Sequence, residues 1–343
     1  MPFWNSLYDY FTFQLLNCAI YTIQHESLCQ NDQSMQLFLT RTQIGSLCAI
    51  CAAFLFSTKA IFIKQAYALS PQVDATVLMA LRMSCALPFF LLITWFSRKS
   101  YADLHLKDWA LLILAGLLGY YFASWLDFKG LMYISASLER IILFLYPTLT
   151  VIATSFIYRQ RLTLQSICAI ALSYGGTVIV MLQEQSNAPH ESNFWLGASL
   201  VFASAVAFAS YLLMTPKLIV KFGSWHYNGL ALSIACIGTL VHFALAVPEP
   251  LQLLRQLPLS VWGYGAALGF FVTVLPTILM MQSIVRLGAA QSAMIASIGP
   301  ILTILLAVAF LDEHLNMIQW MGCILNILGV LMITLSKKKL STH

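Results

Sequence analysis

Residues 145–150 read Leu145-Tyr146-Pro147-Thr148-Leu149-Thr150, and residues 298–303 read Ile298-Gly299-Pro300-Ile301-Leu302-Thr303. Pro147 and Pro300 are 153 residues apart, as are Thr150 and Thr303, Leu162 and Leu315, and Gly176 and Gly329. Working outward, each proline lies in an apolar stretch about one bilayer thick. Ten such stretches run along the chain as two sets of five, and an odd number of spans forces the second set to enter the membrane inverted. Inverted repeats are a common build of secondary transporters, with the substrate site between the halves near the midplane. The sequence therefore reads as an all-α polytopic membrane protein, with ten transmembrane helices in two inverted five-helix repeats.

Composition closes off the soluble alternatives. Of 343 residues, 60% are hydrophobic and 9% charged, and the mean hydropathy is +0.81; a soluble domain carries about 25% charged residues. So few charges cannot cover a water-exposed surface, and lipid must do it. A helical span needs about 20 apolar residues, which places spans near 43–66, 75–97, 109–132, 136–158, 163–182, 194–215, 226–247, 261–283, 289–310 and 317–335. They are too long and continuous for barrel strands, which alternate over about 10 residues.

Charge sets the orientation. With the N-terminal side of the first span inside, twelve basic residues lie at inner ends and four (Lys64, Lys129, Arg140, Arg255) at outer ends. This is the positive-inside bias, and it puts both ends of the ten-span body in the cytoplasm. The net charge of +5 is thus a topology signal and not a nucleic-acid footprint.

The first repeat covers residues 43–182 and the second 193–335, joined by a polar linker at 183–192 and followed by a basic cytoplasmic tail at 336–343. Residues 1–42 form an extension whose apolarity is interrupted by Asn5, Asp9, Gln14 and Asn17. It reads as an interfacial or disordered segment, or as an upstream start with Met35 the alternative. Without gaps, residues 130–182 and 283–335 are identical at nine positions. Those identities include Pro, Thr and Gly, and the span edges coincide. The first spans align at an offset of 152, pairing Gly45 with Gly197 and Ala53 with Ala205.

These features resemble the EamA-type domain of the drug/metabolite transporter superfamily, present in tandem. The carriers are residues 130–137 leading to Pro147, residues 283–290 leading to Pro300, and the turn Leu311-Asp312-Glu313-His314-Leu315; in the first copy Gln160 stands where the motif has Glu. The resemblance implies a bacterial-type inner-membrane permease, often an exporter of amino acids or related metabolites.

A charge at bilayer depth normally faces a cavity or a partner. Lys59, Lys64, Arg82, Asp127, Lys129, Glu139 and Arg140 all fall in the outer half of the first repeat. Their counterparts are mostly neutral, with Tyr211 for Lys59, Met280 for Asp127 and Ser292 for Glu139. Lys64, Asp127 and Lys129 are near enough to an interface to read as solvated end residues. Lys59, Arg82 and Glu139 are deeper, and Glu139 is expected to pair with Arg82 or Lys59. Cavity candidates are Lys59, Arg82, Glu139, Arg140, Tyr121, Trp125, Tyr146 and Tyr211, with Pro147 and Pro300 as hinges.

His242 is an alternative proton carrier. Cys48 and Cys51 have CxxC spacing without an accompanying His or acid, so no metal or redox site is read. No Walker loop, HExxH site, nucleophile elbow or dinucleotide fingerprint is present. The expectation is a carrier rather than an enzyme, with no cofactor, a small-molecule substrate, the lipid bilayer as surroundings, and a coupling proton and homo-oligomer left open. The basic excess at depth favours a substrate with an anionic group such as an amino acid. The rival class is a membrane lipid-handling or structural subunit without solute flux of its own.

Overall fold

The computed structural model describes residues 32–97, 104–157, 159, 162–187 and 193–340. Most of the 1–42 extension, Gln160, and the ends of the 183–192 linker and the 336–343 tail lie outside the described residues. Among the described residues, nine helices are long and apolar enough to cross a membrane: Arg41–Leu69, Ala75–Phe96, Leu106–Gly130, Ala136–Ile157, Leu164–Ser186, Phe194–Phe222, Ser224–Ala246, Leu259–Leu287 and Gln291–Phe310. Met317–Ile333 is the apolar part of a tenth. These are the ten expected spans. The sixth and eighth run further than their apolar cores suggest, because their ends carry Lys221 and Arg286, whose long stems let a charged helix end reach water.

Several spans are interrupted, and the interruptions obey the repeat. The fourth is two half-helices, Ala136–Leu143 and Tyr146–Ile157; the ninth is Ala289–Ala296 and Gly299–Phe310. Proline explains both. Pro147 and Pro300 lack the N–H that would bond the carbonyl four residues back, on Leu143 and Ala296, the last residues of the first half-helices. Both prolines sit in the first turn of the following half-helix, where a missing N–H is tolerated. The breaks are tightened by short-range bonds, Leu145 N–H to Ile142 O at 3.1 Å and Ile298 N–H to Ile295 O at 3.2 Å.

The third and eighth spans each contain a π-helical segment, Leu117–Phe122 and Phe270–Val274, whose first residues are again 153 apart. Such segments occur frequently at functional sites. Only the first span departs from the symmetry: it breaks at Thr58, between Asp32–Ser57 and Lys59–Leu69, while its counterpart Phe194–Phe222 is continuous.

The two repeats meet where equivalent helices cross. The fifth and tenth spans pack backbone to backbone: a Cβ added to Gly329 would lie 2.6 Å from both Ala169 O and Ser173 N, and one on Gly176 would lie 2.6 Å from Asn326 N. Small residues at such crossings let helices approach without a hydrophobic drive, which lipid removes. The second and seventh spans also cross at equivalent residues, Cys236 Sγ lying 3.5 Å from Met83 Sδ. The repeats are further tied near both ends of the bundle. Lys221 Nζ is 2.5 Å from Asp108 Oδ1 at one end, and Asn316 Nδ2 donates to Gln183 Oε1 at 3.0 Å at the other.

Candidate functional site

The break in the first span opens the site. Ser57 Oγ donates to Ala53 O at 2.7 Å and to Gly299 O at 2.9 Å, and Thr303 Oγ1 donates to Ser57 O at 3.3 Å. The interruption of the first span is thereby held against the interruption of the ninth, in the other repeat. From the fourth span, Arg140 Nη2 donates to Phe56 O at 3.3 Å. Lys59 begins the next helix, and its ammonium is delivered into the bundle.

There it meets two carboxylates. Lys59 Nζ donates to Asp127 Oδ2 at 2.6 Å and to Glu139 Oε1 at 3.0 Å. Asp127 is 2% exposed and Glu139 0%. Arg140 Nε lies 3.9 Å from Glu139 Oε2, close enough for charge pairing but not for a hydrogen bond. Adjacent helical residues point about 100° apart, and the guanidinium reaches back only partly. The group therefore contains two cations and two anions from the first, third and fourth spans of one repeat. Each carboxylate keeps one buried oxygen, Asp127 Oδ1 and Glu139 Oε2, without a hydrogen-bond partner among the described residues.

Arg82 stands beside this group and is 7% exposed. Its Nε donates to Thr273 Oγ1 at 2.7 Å, and its guanidinium carbon is 5.3 Å above the Phe128 ring, next in sequence to Asp127. Thr273 belongs to the π-helical segment of the eighth span and donates in turn to Leu268 O at 2.8 Å. Arg82 thus links the repeats through an irregular stretch of helix. Its Nη1 is buried with no hydrogen-bond partner among the described residues.

The expected pairing of Glu139 is with Lys59, not Arg82. The placement of Asp127 is a correction: counting residues from the span end made it a solvated terminus, but it is enclosed and bonded to Lys59. Lys129, near that end too, differs in kind from it. Lys129 lies half-buried with its Nζ 4.8 Å from the centre of the Trp125 ring.

The other candidates form separate groups. Trp125 donates from Nε1 to Thr76 Oγ1 at 3.3 Å, and both Trp125 and Tyr121 stand edge-on to His242, each with ring centres 5.7 Å away. Tyr146 packs edge-on against Phe208 at 5.0 Å. Tyr211, the counterpart of Lys59, donates to Tyr120 Oη at 3.1 Å and stacks on Tyr227. Ser292, the counterpart of Glu139, shares a 2.8 Å hydrogen bond with Ser283. Positions that are ionic in the first repeat are hydroxyl-bearing or neutral in the second.

A second acidic arrangement was not anticipated. The N-terminus of the half-helix Ala136–Leu143 is held by two glutamates. Glu184 accepts from Ser135 N–H at 3.0 Å and Ser135 Oγ at 2.8 Å. Glu313 accepts from Ala136 N–H at 2.7 Å and from Ser137 N–H and Oγ at 3.1 and 2.6 Å. Carboxylates satisfy the free N–H groups there and suit the positive end of the helix dipole. The motif acid of the second repeat therefore clasps the broken helix of the first.

Ten apolar spans in two repeats with interrupted helices have the build of a membrane transporter. The EamA-like transporter family model matches residues 43–182 and 195–335, and the chain belongs to that family. It is 30% identical over 282 residues to the uncharacterized transporter YcbK of Bacillus subtilis (strain 168), covering 81% of this chain and 89% of the relative. Another uncharacterized transporter of the same organism, YetK, is 23% identical over 88% of this chain and 90% of its own. One solved crystal structure shares the fold, with a TM-score of 0.57 and 20% identity over 87% of this chain and 99% of that one.

Proposed function

We propose that this protein is a secondary transporter of the cell inner membrane that exports a small polar metabolite with an anionic group, an amino acid being the best fit. The two repeats alternate access to a shared site, and the substrate is moved without being chemically altered. The observation that carries this reading is Arg82. A buried guanidinium with an open Nη1 is expensive at membrane depth and normally faces a partner or a cavity. Its one side-chain bond reaches Thr273 across the repeat boundary, so an anion docked on Arg82 would feel both halves.

An amino acid satisfies the rest of the neighbourhood. Its carboxylate suits the open donor on Arg82, and its ammonium suits the open acceptors Asp127 Oδ1 and Glu139 Oε2. The half-helix breaks beside Pro147 and Pro300 supply the hinges, since discontinuous helices at the repeat interface are the usual site of binding and movement. The orientation that the basic residues favour places the ionic group in the outer half of the membrane and both ends of the body in the cytoplasm.

The experiment is a comparison of metabolites in the medium and cytosol of cells making the wild-type protein, an Arg82→Gln variant, or neither. One or a few anionic or zwitterionic metabolites should leave the cell with the wild type alone. A wild-type profile indistinguishable from cells lacking the protein, or a change confined to lipids, would favour the lipid-handling alternative.

A further inference from the structure

The ionic group at Lys59 joins two different sets of helices. The first span packs against the eighth and ninth, whereas the third and fourth pack against the sixth. Lys59 therefore belongs to one set, and Asp127, Glu139 and Arg140 belong to the other. The hydrogen bonds between them cross from set to set: Lys59 to Asp127 at 2.6 Å and to Glu139 at 3.0 Å, and Arg140 Nη2 to Phe56 O at 3.3 Å. Tyr67 Oη adds a bond to Phe128 O at 2.8 Å, and Glu313, just past the ninth span, holds Ala136 and Ser137. All of these ties lie toward one end of the bundle.

The residues that would repeat these ties at the other end are uncharged. By the repeat offsets, Lys59, Tyr67, Glu139, Arg140 and Glu313 have Tyr211, Ile219, Ser292, Ala293 and Gln160 as counterparts. Burial follows the same asymmetry. Six of the eight residues of Ala136–Leu143 are buried, whereas of the counterpart residues 291–296 only Ser292 is. Lipid covers equivalent helices alike, so the difference marks a cleft between the sets, shut at the end of Glu313 and looser at the other.

We infer that Lys59 is a specificity-determining gate residue: it holds the shut mouth closed, and a substrate opens that mouth by bringing an ammonium of its own. When the sets separate, Lys59 leaves with the first span. Asp127, Glu139 and Arg140 then carry one net negative charge. Lys59, together with Arg82 on its bond to Thr273 of the eighth span, forms a positive face opposite. A zwitterion meets both faces, with its ammonium on the carboxylates and its carboxylate on Arg82. An anion without the ammonium satisfies Arg82 alone and leaves a carboxylate at membrane depth without a partner, which is costly. A ligand moves a conformational equilibrium only by binding one state better, so zwitterions open the mouth and simple anions do not. The inference rests on the transporter reading above and narrows its substrate class to anions that also carry a cationic group.

The test follows the width of that mouth between spin labels at Met132→Cys and His314→Cys, both exposed positions, in protein otherwise free of cysteine and reconstituted in lipid. Without ligand, one short distance is expected. A mixture of the common amino acids should add a second, longer distance. The corresponding 2-hydroxy acids keep the carboxylate and side chain but carry a hydroxyl in place of the ammonium, and they should leave the distribution unchanged. Equal widening by both mixtures would overturn the inference.

A second arm needs no substrate. Asp127→Asn/Arg140→Gln leaves Lys59 and Glu139 as a balanced pair and removes the other ionic ties, so the long distance should be populated without ligand. Tyr67→Phe removes an uncharged tie and leaves the charges untouched, and it should populate the long distance to a smaller extent. Wild-type distances in both variants would overturn the inference. If the variants open while neither mixture widens the wild type, the gate at Lys59 stands and the amino-acid reading above fails instead.

Discussion

Asn326 Nδ2 donates to the backbone carbonyl of Ser173 at 3.2 Å, and the two residues are 153 positions apart, the same place in the two repeats. A residue can touch its own counterpart only where the axis relating the halves passes between them. The fifth and tenth spans therefore cross on that axis. Asn326 also donates to Thr177 Oγ1 at 2.8 Å, while Gly329 and Gly176 keep the two backbones close.

The first prediction follows from this crossing. Interhelical hydrogen bonds in membranes contribute about 0.6 kcal/mol on average and about 1.7 at most, whereas overpacking a tight contact costs about 1–3 kcal/mol. Gly329→Leu should accordingly lower the thermal unfolding temperature in detergent more than Asn326→Leu. Equal temperatures for Gly329→Leu and wild type would mean that the crossing does not hold the halves together.

A second prediction concerns the ammonium at Lys59. Lys59→Met leaves two buried carboxylates without their shared partner, and breaking a buried pair costs about 3–5 kcal/mol, while replacing all members of such a group is often neutral for stability. Lys59→Met should yield little folded protein. The quadruple variant Lys59→Met/Asp127→Asn/Glu139→Gln/Arg140→Gln should recover yield and monodispersity on size exclusion without recovering transport. A stable single variant would show that the carboxylates do not depend on Lys59.

Much of this was legible in the sequence, and the limits have physical causes. Span number, inversion and the two breaks follow from apolar length, the parity of five and the prolines at 147 and 300. The depth of Lys59, Arg82 and Glu139 follows from residue counting. What counting cannot give is the direction of a side chain around its helix, and Asp127 is the case in point: near the span end by number, it points into the bundle. Charge balance was the available clue, because Glu139 alone leaves Lys59, Arg82 and Arg140 in excess. The π-helical segments left no sequence mark, so the Arg82–Thr273 contact between repeats was invisible. Glu313 was visible as a motif but its partners were not, since Ala136 and Ser137 lie 177 and 176 residues away.

The third prediction tests that clasp. Losing an N-cap costs about 0.5–2 kcal/mol, and Glu313 satisfies two backbone N–H groups and a hydroxyl. Glu313→Ala should lower the unfolding temperature and should raise the rate at which a thiol reagent labels Ala136→Cys on a background lacking native cysteines. If the labelling rate is unchanged, Glu313 does not keep that end of the bundle closed.

Orientation gives a fourth prediction. With the basic residues inside, Gln185→Cys should react with a membrane-impermeant thiol reagent applied to intact cells, and Thr163→Cys should react only after the membrane is opened. Both positions are exposed. The reverse pattern would turn the ionic group toward the cytoplasm.

The central claim is that an anion passes through this protein by way of Arg82, and flux in proteoliposomes made with the purified protein tests it most directly. Liposomes loaded with mixed amino acids are diluted into medium under an imposed pH gradient, and each amino acid is followed outside. The account predicts release of one or a few amino acids with wild-type protein and loss of that release in Arg82→Gln at equal folded yield. Release that is the same for both proteins would contradict it.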